Sequence, residues 1–339
     1  MPKRSDFSVT LTGDELPEFL RLVPMADRLG FRNLGVGDCP SLYHDVYVKG
    51  ALAAQQTRNI RIGPYVTNPV TRHPSVTAGA AATLDEVSGG RAFLGVGGGD
   101  SALYNIGLKG AGVAQIEEYV RVIRDLYQRH EVEFHGKSVR LAWTRRPVPV
   151  YMAASGPKGL RAAGRCADGV IVGTGVLPEV VADVLSHIDA GAKESGRRVE
   201  DLDIWWLLMG GLDQDAARAL DDVKHSLTTY ANLAFRFSIE GKHLPLQYHD
   251  AVRRIHQEYK AKDHVTGGAQ KEHSRLADDT GLTQYLASRF SLAGTPHQVL
   301  EQIARAHRAG AKQLWITLRF PGKERFFRLW EEGVAPALD

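Results

Sequence analysis

Two cysteines, Cys39 and Cys166, are all that the 339-residue sequence contains. A disulfide framework is therefore excluded, and a reducing, cytoplasmic setting is the simplest expectation. Paired-cysteine spacings and the HExxH pattern are both absent, which removes the common zinc sites. No run of 18 apolar residues occurs, so no membrane-spanning helix is expected. The opening MPKRSDFSVTLTG is basic but has no apolar stretch, and it is not expected to act as a secretory signal. Basic residues outnumber acidic ones by only 42 to 39. With no basic block and no basic stripe interleaved with aromatics, nothing points to nucleic acid.

What is present is ordinary globular composition, 43% hydrophobic and 24% charged. Short apolar runs alternate with longer amphipathic ones. The runs at 7–13, 33–37, 59–66, 91–99, 148–154, 169–175, 203–211 and 312–318 read as strands. Helical spacing follows each of them, with stops at Gly30 and at Gly89–Gly90. Thr295 and Pro296 form a helix start. Uninterrupted β-α alternation predicts a parallel sheet covered by helices. Eight units favour an α/β fold of the (β/α)8 TIM-barrel type, which takes about 250 residues; a doubly wound open sheet is the alternative. The expectation is one barrel domain over residues 1–339. The surplus falls in the hairpin-like EVEFHGKSVRLAW and in an insertion at 232–290 before the last strand. That insertion is polar, His-rich and too long for a simple connection, so it should carry helices of its own.

In a barrel, the loops after the strands gather at the functional face. Here those ends are Asp38 and Cys39, then Tyr65 to His73, Gly97 to Tyr104, Ser155 to Pro157, and Gly173 to Gly175. Glycines let a backbone approach a ligand, and amides at helix starts suit phosphate. The combination implies a flat, phosphorylated cofactor. The stretch IGPYVTNPVTRHP raises the same idea, because a strand leaves the core through three prolines and several polar groups. A turn-and-cap explanation for it is the competing one.

IGPYVTNPVTRHPSVTAGAAATLDEVSGGRAFLGVGGGD resembles the bacterial-luciferase-like superfamily, nearest to its methylenetetrahydromethanopterin reductase-like branch. VPVYMAASGPKGLRAAGRCADGVIV and SLAGTPHQVLEQIARAHRAGAKQLWI resemble later family blocks. The resemblance covers most of 7–230 and 290–320 and fails over the insertion. It implies a (β/α)8 barrel using flavin mononucleotide or the deazaflavin coenzyme F-420, usually as a homodimer. It also implies a cis, non-proline peptide at Tyr65–Val66, with Thr67 and Asn68 reaching the pyrimidine edge of the ring. The cofactor-binding candidates are thus Asp38, Tyr65, Val66, Thr67, Asn68, Gly97, Gly98, Asp100, Ser155, Gly156, Pro157, Gly173 and Thr174. Deazaflavin-dependent relatives commonly carry histidine after the aspartate; here Cys39 stands there. Cys39 and His44 are the catalytic candidates.

The bland readings differ residue by residue. His73 reads as a helix-entry residue. The glycines at 97–99 lack the spacing of a dinucleotide fingerprint. Histidines 243, 249, 256, 264 and 273 read as surface positions, not a metal cluster.

The departure at Cys39 favours a two-component monooxygenase using reduced FMN delivered by a separate NAD(P)H:flavin reductase, with the insertion as a lid. Tyr43, Tyr104, Trp205 and Trp206 suggest a small apolar or aromatic substrate, although the two adjacent tryptophans must face opposite ways. The alternatives are a deazaflavin-dependent hydride-transfer enzyme, favoured by TNPVTRHP, and a non-catalytic flavin-binding relative.

Overall fold

The computed structural model describes residues 2–12, 15–235, 238–258, 275 and 278–338. Its strands are β1 (Phe7–Leu11), β2 (Asn33–Val36), β3 (Arg61–Pro64), β4 (Leu94–Val96), β5 (Glu131–Phe134), β6 (Lys137–Arg140), β7 (Val150–Ala154), β8 (Gly169–Val172), β9 (Asp203–Leu212), β10 (Ser291–Gly294) and β11 (Gln313–Leu318). The eight predicted strands are all there, as β1 to β4, β7 to β9 and β11. The fold class is α/β, a (β/α)8 TIM barrel, whose strands form one nine-stranded sheet. The ninth strand, β10, was not predicted. It pairs in parallel with the far end of β9, from Ser291 opposite Met209 to Gly294 opposite Leu212. The excursion after β4 is an antiparallel hairpin of β5 and β6. Among the described residues, no helix is long and apolar enough to cross a membrane.

The chain clusters into two compact units, one of Asp14–Ile171 with Val184–Ile204, the other of Met1–Gly13, Val172–Asp183 and Trp205–Asp339. In the first, β2 pairs with β3 and β4 with β7, both in parallel, and bridges at Ile62–Ala92 and Thr67–Val96 join β3 to the β4 segment. Packing there is close enough that a Cβ on Gly63 would stand 1.9 Å from the Phe93 carbonyl oxygen. The helix Pro74–Ser88 that follows β3 begins with proline in its first turn, is capped by His73, and ends at Gly89 with φ of 71°. His73 is therefore a helix-entry residue, as the sequence suggested.

In the second unit β1 pairs with β11 and β11 with β9. Trp315 donates from its indole to Thr10 Oγ1 (2.8 Å), and Trp205 meets Trp315 edge-on at 5.6 Å. Trp205 and Trp206 are both fully buried, which makes them core side chains before anything else. The stretch 232–290 does carry helices, His249–Glu258 and Thr283–Phe290. They share an apolar cluster with the helix Ala216–Phe235, built on Leu227, Tyr230, Val252, Ile255, Leu286 and Phe290. Each such burial contributes about 1.5–3 kcal/mol, which holds these three helices together. His264 and His273 lie outside the described residues.

Candidate functional site

The site is built at the exits of β2, β3 and β4. At the end of β3 the backbone keeps pairing past the strand: Thr67 N–H donates to the Gly95 carbonyl (2.9 Å), and Gly97 N–H donates to the Thr67 carbonyl (2.8 Å). Between them the Tyr65–Val66 peptide bond is cis. Val66 fills the space that glycines leave open, since a Cβ on Gly95 or Gly97 would come within 3.0 or 2.7 Å of its methyl carbons.

Below this turn lies a network that the sequence did not reveal. Thr67 Oγ1 donates to Asp38 Oδ2 at 2.6 Å, and Arg72 Nη1 donates to the same oxygen at 2.5 Å. The side chains of Arg72 and Asp38 are 22% and 5% exposed, so this is a mostly buried ion pair. Removing one partner of such a pair typically costs about 3–5 kcal/mol. Arg72 is held from three further directions. Its Nη2 reaches Asp45 (3.4 Å), its guanidinium lies 5.4 Å from the Tyr47 ring centre, and its carbonyl accepts from the Tyr119 hydroxyl (3.0 Å). Burial pushes the Tyr119 phenol up to about 12 and the Tyr47 phenol further, so both are neutral. A lone arginine in a polar loop reads as solvated; only its position one residue before the cap His73 distinguishes Arg72.

Asn68 is almost fully buried. Its Oδ1 accepts from the backbone N–H groups of Val70 and Thr71, both at 3.0 Å. Its amide nitrogen is buried and has no hydrogen-bond partner. Cys39 is also buried, next to Asp38. Burial pushes its thiol up, against weaker opposing hydrogen bonds from Ser101 and Asn105. It is thus a neutral thiol, not a thiolate nucleophile. His44 is exposed on the same loop and takes no part in the Asp38 network.

Gly98 offers its carbonyl to Ala111 N–H (2.8 Å), and Gly99, with φ of 93°, leads into a short helix that begins at Asp100. At the exit of β7, Gly156 caps the helix Pro157–Cys166, Pro157 occupies its first turn, and Ser155 is half-buried just before it. A Cβ on Gly156 would meet nothing within 4 Å, leaving the helix start open to an anion.

Gly173 and Thr174 follow β8 in the other unit. Thr174 is buried and its hydroxyl has no hydrogen-bond partner. Its carbonyl accepts from Nε of Arg289 (2.9 Å), a side chain only 1% exposed. Arg289 also reaches the Tyr285 hydroxyl (2.8 Å) and the His243 carbonyl (3.3 Å), and it lies 4.9 Å from the Phe235 ring centre. Burial lowers its pKa, while Tyr285 opposes that shift. Sequence reasoning left Arg289 inside the insertion, with no signal beyond its closeness to the AGTP block.

The donors and open backbone around Thr67, Asn68 and Gly97 fit a planar heterocycle that presents both acceptors and an N–H. Comparison with known proteins finds relatives over most of the chain. A family model described as "Luciferase-like monooxygenase" matches residues 2–313. The chain is 29% identical to the 5,10-methylenetetrahydromethanopterin reductase of Methanopyrus kandleri, over 97% of each chain. It is 30% identical to the F420-dependent glucose-6-phosphate dehydrogenase of Amycolatopsis mediterranei, over 92% of each. Among solved structures, the coenzyme F420 dependent tetrahydromethanopterin reductase from Methanopyrus kandleri superposes with a TM-score of 0.77 at 27% identity, covering 99% of this chain and 100% of that one.

These findings overturn the expectation of a two-component monooxygenase fed with reduced FMN. The dehydrogenase and the solved reductase are both named for the deazaflavin coenzyme. The expectation leaned on Cys39 replacing a histidine. A single exchanged side chain does not identify the cofactor, whereas the similarity runs along the whole chain.

Proposed function

The chain belongs to the luciferase-like monooxygenase family, and on that premise we propose that it is an oxidoreductase that moves a hydride between the deazaflavin coenzyme F-420 and a small organic substrate. The observation that carries this reading is end-to-end similarity to F420-dependent enzymes, at 30% identity over 92% of both chains in one case. When bound, a deazaflavin supplies a carbon centre that accepts or gives a hydride; the protein supplies binding, orientation and electrostatics.

This chain's own groups divide those tasks. Thr67 and Asn68 hold the polar edge of the ring, Tyr65 and Val66 support it, and Gly97 and Gly98 leave it room. Asp38 anchors Thr67. Ser155, Gly156 and Pro157 present a helix start to the phosphate. Asp100 stands in the first turn of its short helix, and the cap position belongs to Gly99. Cys39, a buried neutral thiol, shapes the substrate side without titrating near neutrality. His44 is exposed and would act only if substrate binding drew its loop inward.

The test is direct. Purified protein is mixed separately with oxidised and reduced coenzyme F-420 and with reduced FMN, while cofactor absorbance and dissolved oxygen are followed. Binding of the deazaflavin, without oxygen uptake, is the expected result. Failure to bind it, with oxygen consumed in the presence of reduced FMN, overturns the reading.

A further inference from the structure

A cavity opens where the strands begin, at the end opposite the Thr67 turn. Arg61 opens β3 and Asp203 opens β9, while Arg32, Pro149 and Asp168 stand just before β2, β7 and β8. The cavity measures about 470 Å³, a size that holds small organic molecules. All of its lining residues belong to the first of the two compact units.

Its three arginines are not equally engaged. Arg124 is fully used: Nη2 meets Asp168 Oδ1 at 2.8 Å, and Nη1 donates to the Cys166 carbonyl at 2.7 Å. Asp168 also accepts at Oδ2 from Val150 N–H (2.9 Å). Arg32 and Arg61 have no such closure. Arg32 Nη2 stands 3.9 Å from Asp203 Oδ2, beyond hydrogen-bond reach, and Arg32 Nε is buried with no hydrogen-bond partner. Among the described residues, the guanidinium of Arg61 donates only to the Tyr151 hydroxyl, at a long 3.4 Å. That hydroxyl gives its own proton to Asp203 Oδ2 at 2.9 Å. Burial, and then the Asp203 charge, push the phenol up, so Tyr151 stays neutral and cannot balance Arg61.

Two guanidiniums therefore face one carboxylate, with N–H donors left over. The other acidic groups of the lining lie on the turn Val199–Asp201, where Asp201 is held by Arg198 (2.7 Å) and Glu200 is exposed. They would repel a second negative charge, which favours a ligand with a single anionic group. Pro147, Val148, Pro149 and Leu202 supply carbon to the wall. We propose that this cavity is a binding site for a small organic acid, whose carboxylate or phosphate is gripped by Arg32 and Arg61 and whose compact apolar body lies against the proline-rich wall. A bare inorganic ion would leave most of the space unfilled. The site is separate from the ring seat and holds whichever tricycle binds there.

Four probes test it. Benzoate, phenyl phosphate, benzamide and inorganic phosphate are titrated calorimetrically into the full chain at neutral pH and low ionic strength, where screening is weak. Benzoate or phenyl phosphate should bind with a dissociation constant of about 1 mM or tighter, and at least about tenfold more tightly than benzamide or inorganic phosphate. The better of the two acids identifies the anionic group. Arg32→Gln and Arg61→Gln should each weaken that binding at least about tenfold, in protein that thermal melting shows to be folded. If Arg61→Gln does not fold, Arg32→Gln decides, since that side chain is 38% exposed. A merely structural pair would alter melting and leave the affinity untouched, and that result overturns the proposal. So does benzamide or inorganic phosphate binding as tightly as the better acid, or no binding of either acid.

Discussion

Arg289 donates from Nε to the carbonyl of Thr174 at 2.9 Å, and Gly175 lies so close behind that a Cβ there would stand 2.4 Å from Arg289 Cγ. A buried guanidinium thus fixes the chain just after β8, and the glycine beside it, with φ of 94°, is the residue type that this contact permits. Replacing Arg289 with leucine would leave the Thr174 carbonyl and the Tyr285 hydroxyl without this donor, while the His243 carbonyl keeps only its bond from the Tyr285 hydroxyl. Destabilisation of about 2 kcal/mol or more is expected, read from chemical denaturation. Gly175→Ala should destabilise as well, through steric overlap and the positive φ. Wild-type stability in both variants would show that the loop does not depend on this contact.

Much of the fold was legible, and for a physical reason. Strands buried on both faces read as continuous apolar runs, and helices covering them read with helical spacing, so the eight β-α units stood out. β10 did not, because SLAG is four residues long and runs directly into the cap Thr295. The strand-end turns that hold the candidate site residues were legible wherever glycine, proline or asparagine marked them. Arg72 and Arg289 were not. Their partners Asp38 and Thr174 lie 34 and 115 positions away, and no local pattern reports a pairing of that kind.

The two cysteines give a prediction about alkali. Burial pushes the Cys166 thiol up to about 12, well above the ordinary value of 9.0. The folded state therefore favours the protonated thiol. The stability this contributes is fully present below the unfolded pKa near 9 and is lost as pH rises towards 12. Cys166→Ala should flatten that part of the stability-versus-pH curve, measured by urea denaturation from pH 8 upward, about the range where an unfolded thiol titrates. Cys39 is shifted in the same direction. Both thiols should react slowly with a disulfide reagent at neutral pH, and a rapid reaction at either would contradict the burial described above.

A homodimer, implied by the family resemblance, has a candidate surface. The adjacent helices Val46–Gln55 and Pro74–Ser88 expose Val48 and Val76 at 62% and 56%, along with Leu52 and Val87. Four apolar side chains on two packed helices are more than scattered exposure usually supplies, and a second copy of this chain would cover them. We propose association through this face. Val48→Asp with Val76→Asp should turn a dimer into a monomer by light scattering while leaving the melting of the protomer near that of the wild type. A wild-type monomer at micromolar concentration, or a dimer indifferent to both changes, would remove the proposal.

Adjacent glycines provide the last test, because the same small change should act differently at each. A Cβ on Gly97 would lie 2.7 Å from Val66 Cγ2, in the middle of the turn proposed to support the ring. On Gly98 the nearest atom would be the Ala111 carbonyl oxygen at 3.5 Å, an ordinary contact. Gly97→Ala must therefore displace Val66 or its own strand, at a cost of about 1–3 kcal/mol. Gly98→Ala should fold with wild-type stability. If the ring rests against this backbone, however, the added methyl enters its space, and affinity for coenzyme F-420 should fall at least about tenfold while melting stays unchanged. A loss of affinity without a loss of stability at Gly98 separates a surface kept clear for a ligand from one kept clear for packing. Unchanged binding there would place the ring elsewhere, even if Gly97→Ala proved as costly as its geometry demands.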